Sequence, residues 1–430
     1  MKFDILDKTA SLKRPSLDKE ELQETVAQVF KDVAQNTDKA VQKYTELFDG
    51  IRLTSLQVTT EEKAEAVTKT EADLKQAIDL AYQNIKTFHE AQYTPGTPVV
   101  ETAEGVSCWQ ETRPIQKVGI YVPGGSAPLF STVLMLGIPA QIAGCKEVIL
   151  CTPPDKNGQI NPAILYAAQK VGIEKIFKVG GIQAIAAMTY GTQEIPKVYK
   201  IFGPGNQYVT AAKQYALNLG VAIDMPAGPS EVMVVADKTA VPAFVASDLL
   251  SQAEHGPDSQ VVCISNSKEF LSEVIDQINV QLPGLSRQDI ARKALENSKF
   301  VYIDNPQDTI DKINDYAPEH LILSTADNDF YLKNLCNAGS VFIGNYTPES
   351  AGDYASGTNH TLPTNGFAKA YSGVGTDSFV KKISFQKITA EGLKNIGKAI
   401  EIMAAKEGLQ AHKNAVSLRL EEVNKIEGVK

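Results

Sequence analysis

The chain has 430 residues, of which 43% are hydrophobic and 22% charged, a composition typical of globular rather than disordered proteins. Its 42 basic and 51 acidic residues give a net charge of −9, which argues against a nucleic-acid-binding protein because such proteins carry basic patches. Five cysteines without a CxxC pair exclude a disulfide scaffold and favour a reducing cytoplasm. Acidic residues near the N-terminus and the lack of an apolar stretch there predict no signal peptide.

The first ninety or so residues have helical patterns. Ser16 fits an N-cap, and apolar residues follow it at helical spacing between positions 22 and 33. Thr59 and Glu62 fit the capping box of another helix. His89 adjoins the apolar face of a third, amphipathic helix, so we interpret it as a histidine at the boundary of that face.

From about residue 111, short apolar runs alternate with helical patterns, and the runs end at Gly or Pro. This alternation indicates βαβ units and parallel sheets. An uncharged stretch, 118–145, is long enough to span a bilayer. Its prolines, paired glycines and hydroxyl residues favour a buried strand, loop and helix instead, so we predict no membrane span.

Four loops rich in Gly, Pro and Ser accompany the predicted strands, at 123–128, 180–181, 203–207 and 226–231. Ligands of open α/β sheets bind at the carboxyl ends of strands, and glycine lets the backbone approach a ligand closely. Each loop taken singly also fits an ordinary turn. The GPGNQY segment at 203–208 lacks the third glycine of the dinucleotide-binding fingerprint, so that motif alone does not establish a nucleotide site.

Two polar motifs contain pairs of candidate site residues. Gln252 and His255 are three residues apart on a predicted helix and share a face, so they could bind one metal ion. Glu319 and His320 are adjacent, and a histidine can accept a proton at neutral pH while a carboxylate activates water. Either pair alone also fits a polar surface.

Two further motifs add acids and histidines. Glu349, Asp353 and His360 lie in a loop of small polar residues, and such loops commonly carry function. Glu407 and His412 are five residues apart, so a continuous helix would place them about 140° from each other. Either the helix breaks at Gly408 or the two residues act separately.

Four of the five histidines thus lie beside Asp, Glu or Gln, which predicts one metal-assisted site. Zinc binds histidine nitrogen and carboxylate oxygen and can keep a position open for substrate. From residue types alone we expect His255, Asp353 and two other histidines as ligands. Gln252 ranks lower on this basis, because a neutral amide is a poor zinc ligand.

At these residues the sequence resembles the histidinol dehydrogenase family. The matching segments are RPIQKVGIYVPGGSAPLFSTVLML, GPGNQYVTAAK, DMPAGPSEV, SQAEHGPDSQ, YAPEHL, SAGDYASGTNHTLPT and KEGLQAH. They occur in the family's order, and the resemblance covers nearly the whole chain, least strongly over the first hundred residues.

The resemblance implies an α/β fold with two incomplete Rossmann-like parallel-sheet domains and helical N-terminal and C-terminal segments. We predict an N-terminal helical segment over 1–27 and a discontinuous first Rossmann-like domain over 28–110 plus 232–375. A second, NAD-binding Rossmann-like domain is expected over 111–231. The C-terminal helical segment, 376–430, is expected to contribute to the dimer partner's site.

The resemblance also implies a zinc-dependent, cytoplasmic homodimer that oxidises L-histidinol through L-histidinal to L-histidine with two NAD⁺. The family's zinc ligands correspond to Gln252, His255, Asp353 and His412, and its catalytic pair to Glu319 and His320. Its substrate contacts correspond to Ser230, Gln252, His255, His320, Asp353, His360, Glu407 and His412. Its NAD contacts correspond to Tyr121, Gln183 and Asn206.

Three alternatives remain open from the sequence. The same metal-binding residues would suit a zinc hydrolase of a small amine or amide, and a metabolite-binding protein without catalysis is a third class. A cysteine nucleophile could also serve aldehyde oxidation. The apolar neighbours of Cys145 and Cys151 predict buried, inert thiols instead.

Overall fold

The computed structural model describes residues 1–14, 20–124 and 128–428. The predicted N-cap Ser16 and the centre of the loop at 123–128 lie outside the described residues. The chain forms two compact units, one of residues 1–92 and 115–379, the other of residues 93–114 and 380–430. The four predicted segment boundaries stay a prediction.

The strands in chain order are β1 (Ile5–Leu6), β2 (Val100–Ala103), β3 (Val106–Pro114), β4 (Lys117–Tyr121), β5 (Glu147–Thr152), β6 (Lys175–Lys178), β7 (Lys200–Phe202), β8 (Ala222–Ile223), β9 (Glu231–Ala236), β10 (Gln260–Ser265), β11 (Lys299–Tyr302), β12 (His320–Ser324), β13 (Ser340–Ile343) and β14 (Val380–Ile388). The α-helices are α1 (Glu20–Asp49), α2 (Thr60–Lys69), α3 (Ala72–Ala91), α4 (Phe130–Ala143), α5 (Pro162–Lys170), α6 (Gly181–Tyr190), α7 (Gln207–Asn218), α8 (Pro242–Ala253), α9 (Lys268–Gln281), α10 (Gln288–Glu296), α11 (Pro306–Tyr316), α12 (Asn328–Asn334), α13 (Glu349–Tyr354), α14 (Ala390–Lys406) and α15 (Gln410–Gly428).

The first unit contains two parallel sheets, which confirms the predicted α/β class. One has six strands in the order β1-β11-β10-β9-β12-β13, and the other has five in the order β6-β5-β4-β7-β8. Strands β9 and β10 are buried along their whole length, because helices cover both faces of a parallel sheet. Val232 and Val234 pack on one face with α8, while Met233 and Val235 pack on the other with α11.

The uncharged stretch forms β4 and α4, as predicted. All residues of α4 from Ser131 to Ala140 are buried, and Gly137 lets the helix approach Val171 because an added Cβ would lie 2.5 Å from that side chain. In the described ranges, no helix combines the length and apolar character of a membrane span.

Two helical predictions had different outcomes. The capping box of Thr59 and Glu62 is present at the start of α2. The boundary position predicted for His89 is wrong, because its side chain is fully buried. Its Nδ1 donates to the Ile85 carbonyl at 2.8 Å, and its Nε2 lies 3.2 Å from the amide nitrogen of Asn359, a partner distant in sequence.

The second unit contains an antiparallel sheet in the order β14-β3-β2 and the helices α14 and α15, which pack on each other. Gly397 of α14 sits against Leu420 and Val416 of α15. The helical conformation is interrupted between α14 and α15 at Gly408, whose φ is 75°. The predicted helix break between Glu407 and His412 is therefore present.

Candidate active site

The predicted catalytic pair lies at the start of β12. His320 is its first residue, and in the neighbouring strand Val232 is its partner in register, so Glu231 at the start of β9 lies beside it. The side chains of Glu319 and His320 are buried, only 6% and 4% exposed. These residues lie at the amino ends of their strands. The loop at 226–231, expected at a carboxyl strand end, likewise leads into the amino end of β9.

Three carboxylates surround the His320 imidazole. Its Nδ1 lies 3.6 Å from Glu319 Oε2 and 3.8 Å from Glu349 Oε1, while its Nε2 lies 3.7 Å from Asp353 Oδ1. Nδ1 donates a hydrogen bond to the carbonyl of Glu231 at 3.2 Å. Because that bond fixes the proton on Nδ1 of the neutral ring, Nε2 is left as the basic nitrogen.

Burial and mutual charge shift the pKa values of this cluster. Burial alone would lower the pKa of His320, but Glu349, Glu319 and Asp353 outweigh it and raise that pKa to about 10. Burial raises the pKa values of Glu319 and Glu349 to about 8 each. Burial opposes ionisation of Asp353 as well, yet the neighbouring His320 holds its pKa below the ordinary value. The cluster therefore contains exchangeable protons near neutral pH.

Gln252 and His255 are brought to the same cluster by the end of α8. Gln252 is in the last turn, and His255 lies two residues beyond the helix end rather than within the helix. The buried Gln252 amide is best satisfied with its nitrogen donating to Glu349 Oε1 and its oxygen accepting from the Glu231 N–H at 2.9 Å. Burial lowers the pKa of His255, which favours the neutral, metal-binding form.

A metal ion fits this set of donors. Ligand atoms of His255, Glu349 and Asp353 lie within 4.8 Å of one another. Glu349 Oε2 and His320 Nε2 are buried atoms without a hydrogen-bond partner among the described residues. Such orphaned oxygen and nitrogen atoms next to a His–carboxylate group are the donor types that zinc prefers. Glu349 thus joins the site, although no specific role was predicted for it from the sequence.

His360 is held by both its ring nitrogens. Its Nδ1 donates to the Asp353 carbonyl at 2.9 Å, so its Nε2 accepts from the Thr132 hydroxyl at 3.1 Å. Burial lowers its pKa and favours this neutral form. Ser230 immediately precedes β9, and its carbonyl accepts from the Gln260 N–H at 3.2 Å. Both predicted substrate contacts therefore border the cluster within the first unit.

Glu407 and His412 lie in the second unit. Glu407 is the C-cap of α14, His412 is in the first turns of α15, and both are exposed. Neither belongs to the group of metal-binding side chains found among the described residues. Their predicted roles in zinc and substrate binding stay predictions.

The predicted NAD contacts lie at the carboxyl edge of the five-stranded sheet. The Tyr121 hydroxyl at the end of β4 accepts from the Gly181 N–H at 3.1 Å. Asn206 caps α7 by accepting from two backbone N–H groups at 3.1 Å. Gln183 is fully buried in α6 and donates to Asp49 at 3.3 Å, while its amide oxygen has no hydrogen-bond partner among the described residues.

The glycine-rich loops lie at the same edge of this sheet. Gly203 has a φ of 130°, and an added Cβ there would lie 1.9 Å from the Tyr121 carbonyl oxygen. The three loops at 123–128, 180–181 and 203–207 follow β4, β6 and β7, which confirms their predicted place at carboxyl strand ends. The close approach at Gly203 is to the chain's own backbone at the end of β4, whereas the Gln183 amide oxygen is a buried polar atom suited to the donor group of a ligand.

Of the two cysteines predicted to be buried, Cys151 is buried and Cys145 is half-buried. Burial raises the pKa of Cys145 to about 12, and Cys151 is fully buried with its pKa raised further. Such thiols are poor nucleophiles, because the thiolate is the reactive form. The sequence did not identify Glu231, although it ends a loop that was singled out, nor Thr132 and Arg14, whose partners are far away along the chain.

Comparison with known proteins decides the family. The histidinol dehydrogenase family model matches residues 12–420. A histidinol dehydrogenase of Bacteroides fragilis is 59% identical over 414 residues, which are 96% of this chain and 96% of the relative. The chain belongs to the histidinol dehydrogenase family.

Further relatives agree with this family. A histidinol dehydrogenase of Xanthomonas campestris is 53% identical over 398 residues, which are 92% of each chain. The crystal structure of histidinol dehydrogenase from Elizabethkingia anophelis has a TM-score of 0.95 and 55% identity, and the match covers 99% of each chain. The histidinol dehydrogenase family confirms the predicted enzyme class, an oxidoreductase, and gives the hydrolase alternative no support.

Proposed function

We propose that the protein oxidises L-histidinol through L-histidinal to L-histidine, transferring two hydrides to two NAD⁺ in sequence. The observation that carries this proposal is the buried Glu319–His320 pair. Within the described part of the chain, His320 Nε2 has no hydrogen-bond partner, and it lies next to a cluster of candidate metal-binding side chains. An alcohol oxidation needs a base for the hydroxyl proton, and an aldehyde oxidation needs an activated water. The pair supplies one group for each step.

In the first step, His320 Nε2 accepts the hydroxyl proton of histidinol while hydride leaves its carbon for NAD⁺. The Glu231 carbonyl keeps the other ring proton on Nδ1, so Nε2 has a lone pair to offer. The charges of Glu349, Glu319 and Asp353 raise the pKa of His320 to about 10. A cationic substrate group or metal ion next to those carboxylates offsets their negative charge. The pKa of His320 then falls towards neutrality, which favours the basic form of its imidazole.

In the second step, Glu319 takes a proton from the water that adds to the aldehyde, and hydride then leaves the hydrate for a second NAD⁺. Burial raises the pKa of Glu319 to about 8. A general base is most effective when its pKa lies near the pH of the reaction, and this shift brings the pKa of Glu319 closer to neutral pH. Burial of both groups also restricts the escape of the reactive aldehyde.

We propose that zinc is held by Gln252, His255, Asp353 and His412, with Glu349 close to the same position. When bound, zinc would orient the amine and imidazole of the substrate as a template. We propose Tyr121, Gln183 and Asn206 as NAD contacts, and Ser230, His360 and Glu407 as further substrate contacts. Glu407 and His412 would complete the site of a partner subunit in a homodimer, which acts in cytoplasmic histidine biosynthesis.

The test is NADH absorbance with purified, zinc-loaded protein and L-histidinol. Two NADH per histidinol are expected. One NADH per histidinol would remove the second oxidation from the proposal, and no NADH would contradict it altogether. A protein that binds histidinol without forming NADH would match the metabolite-binding alternative.

A further inference from the structure

The Glu231 side chain is held by an unusually complete set of partners for a residue beside the active site. Arg14 binds its carboxylate in a bidentate manner, Nε to Oε2 at 2.5 Å and Nη2 to Oε1 at 3.0 Å. The Tyr316 hydroxyl lies 2.9 Å from both Oε2 and Gln260 Oε1 and shares its hydrogen between these two acceptors, and the Asn365 N–H donates to Oε1 at 2.9 Å. Glu231 is only 2% exposed, so both its oxygens are fixed in a water-poor environment.

Arg14 is itself held in place by Tyr316. Its Nη2 donates to the Tyr316 carbonyl at 2.7 Å, and its guanidinium lies 3.8 Å from the centre of the Tyr316 ring. A planar, bidentate and stacked arginine loses little conformational freedom per hydrogen bond, and lysine cannot reproduce that geometry. The Arg14–Glu231 pair therefore fixes orientation as well as charge.

The backbone of the same glutamate contacts both members of the proposed catalytic pair. The Glu231 N–H lies 2.9 Å from Glu319 Oε2 and shares its hydrogen bond between that oxygen and the Gln252 amide oxygen. The Glu231 carbonyl accepts from His320 Nδ1 at 3.2 Å and so selects the ring tautomer with a free Nε2. The preceding residues 226–230 are neither helix nor strand, so the side-chain contacts of Glu231 add to the pairing of β9 with β10 and β12 in placing its first peptide groups.

We propose that Arg14 and Tyr316 are positioning residues for the reaction: by fixing the Glu231 carboxylate, they place the Glu231 N–H and carbonyl that orient Glu319 and set the tautomer of His320. This inference rests on the proposed function. A stability role alone is a poor explanation of the pair, because buried ion pairs often add little stability compared with apolar residues of similar volume.

The test compares Arg14→Met and Arg14→Lys with the wild type in steady-state kinetics with histidinol and NAD⁺. Arg14→Met is expected to lower kcat at least tenfold while both KM values change less than about threefold, since binding residues stay in place. Arg14→Lys keeps the charge but not the bidentate geometry and is expected to recover only part of kcat. The control is Arg113→Met, which removes an arginine paired with Glu111 in the second unit.

Zinc content and thermal midpoint, measured on each variant, separate positioning from structure. The proposal is overturned if folded Arg14→Met keeps kcat within twofold of wild type, or if its loss of kcat follows a proportional loss of zinc. If Arg14→Met does not fold, Tyr316→Phe is the second variant, since it removes only the hydroxyl that contacts Glu231. Tyr316→Phe should lower kcat about threefold or more with KM unchanged. An unchanged kcat in this variant would also overturn the proposal. Absence of NADH from the wild type would instead refute the proposed function.

Discussion

Replacing Glu319 by Gln should separate the two oxidations. The change keeps an oxygen that can accept from the Glu231 N–H, now at 2.9 Å, and keeps the size of the buried side chain. It removes the group that we propose takes a proton from water in aldehyde oxidation. General-base catalysis contributes roughly 10²- to 10⁴-fold, so histidinal oxidation should slow by about that factor.

Alcohol oxidation should change much less in the same variant. Glu319 lies 3.6 Å from His320 Nδ1, and its charge helps to raise the pKa of His320. Removing that charge lowers the pKa of His320, which favours the basic imidazole and leaves the first proton transfer intact. We expect histidinol oxidation to stay within about tenfold of wild type, a small effect compared with the loss of a base.

The assay supplies histidinol and histidinal separately with NAD⁺ and follows NADH. The Glu319→Gln enzyme should release close to one NADH per histidinol, and wild type two. Glu65→Gln is a matched control, because Glu65 is an exposed acid paired with Lys69 on α2. Equal slowing of both oxidations would show that Glu319 contributes to the oxidation of histidinol as much as to that of histidinal, and its proposed role in activating water would be wrong.

Three further predictions address the rest of the molecule. Burial raises the pKa of Asp49 from 3.8 to about 6, so the folded state binds the Asp49 proton more tightly than the unfolded state does. The free energy of unfolding therefore falls as the pH rises from about 4 to about 6. In urea unfolding, Asp49→Asn should match the stability of wild type at pH 4 and exceed it at pH 7 by about 2 kcal/mol after allowance for solvent screening. An equal difference at both pH values would contradict this. His412→Ala should lose zinc on dialysis, as measured by metal analysis, and full retention would remove it from the ligand set. Gly203→Ala places a Cβ 1.9 Å from the Tyr121 carbonyl oxygen, so calorimetry should show NAD⁺ affinity reduced by at least tenfold with zinc content unchanged; an unchanged affinity would place the cofactor elsewhere.

The parallel sheets could be predicted because a strand covered on both faces must be apolar along its whole length. The six residues of β9 and the six of β10 are all buried, and apart from Glu231, Gln260 and Ser265 at the strand ends the sequence shows them as apolar runs between helical patterns. The glycine-rich loops could be placed at the carboxyl ends of β4, β6 and β7 for a similar reason, since backbone approach such as that at Gly203 admits no Cβ.

Long-range partners could not be predicted from the same patterns. Periodicity placed His89 near an apolar face but could not reveal Asn359, which completes its hydrogen bonding from 270 residues away. Likewise, Arg14 and Glu231 are 217 residues apart, so no local spacing connects them. Glu349 was visible in a polar motif, yet only the approach of α13 to β12 brings it within 3.8 Å of His320.

The two sheets present opposite edges to the proposed reaction, and the connection between them explains why. The residues proposed for NAD⁺ lie at the carboxyl edge of the five-stranded sheet, whereas Glu319 and His320 lie at the amino edge of the six-stranded sheet. Strand β8 leads into β9 through residues 224–230 alone, so a carboxyl end in one sheet is followed within a short reach by an amino end in the other. Helix α4, which follows β4 of the five-stranded sheet, also contacts the catalytic cluster, since the Thr132 hydroxyl lies 3.1 Å from His360 Nε2. Hydride transfer requires the cofactor and the proton-accepting base on neighbouring sides of one substrate, and the short connection and the Thr132–His360 contact support our proposal that the two edges serve one substrate.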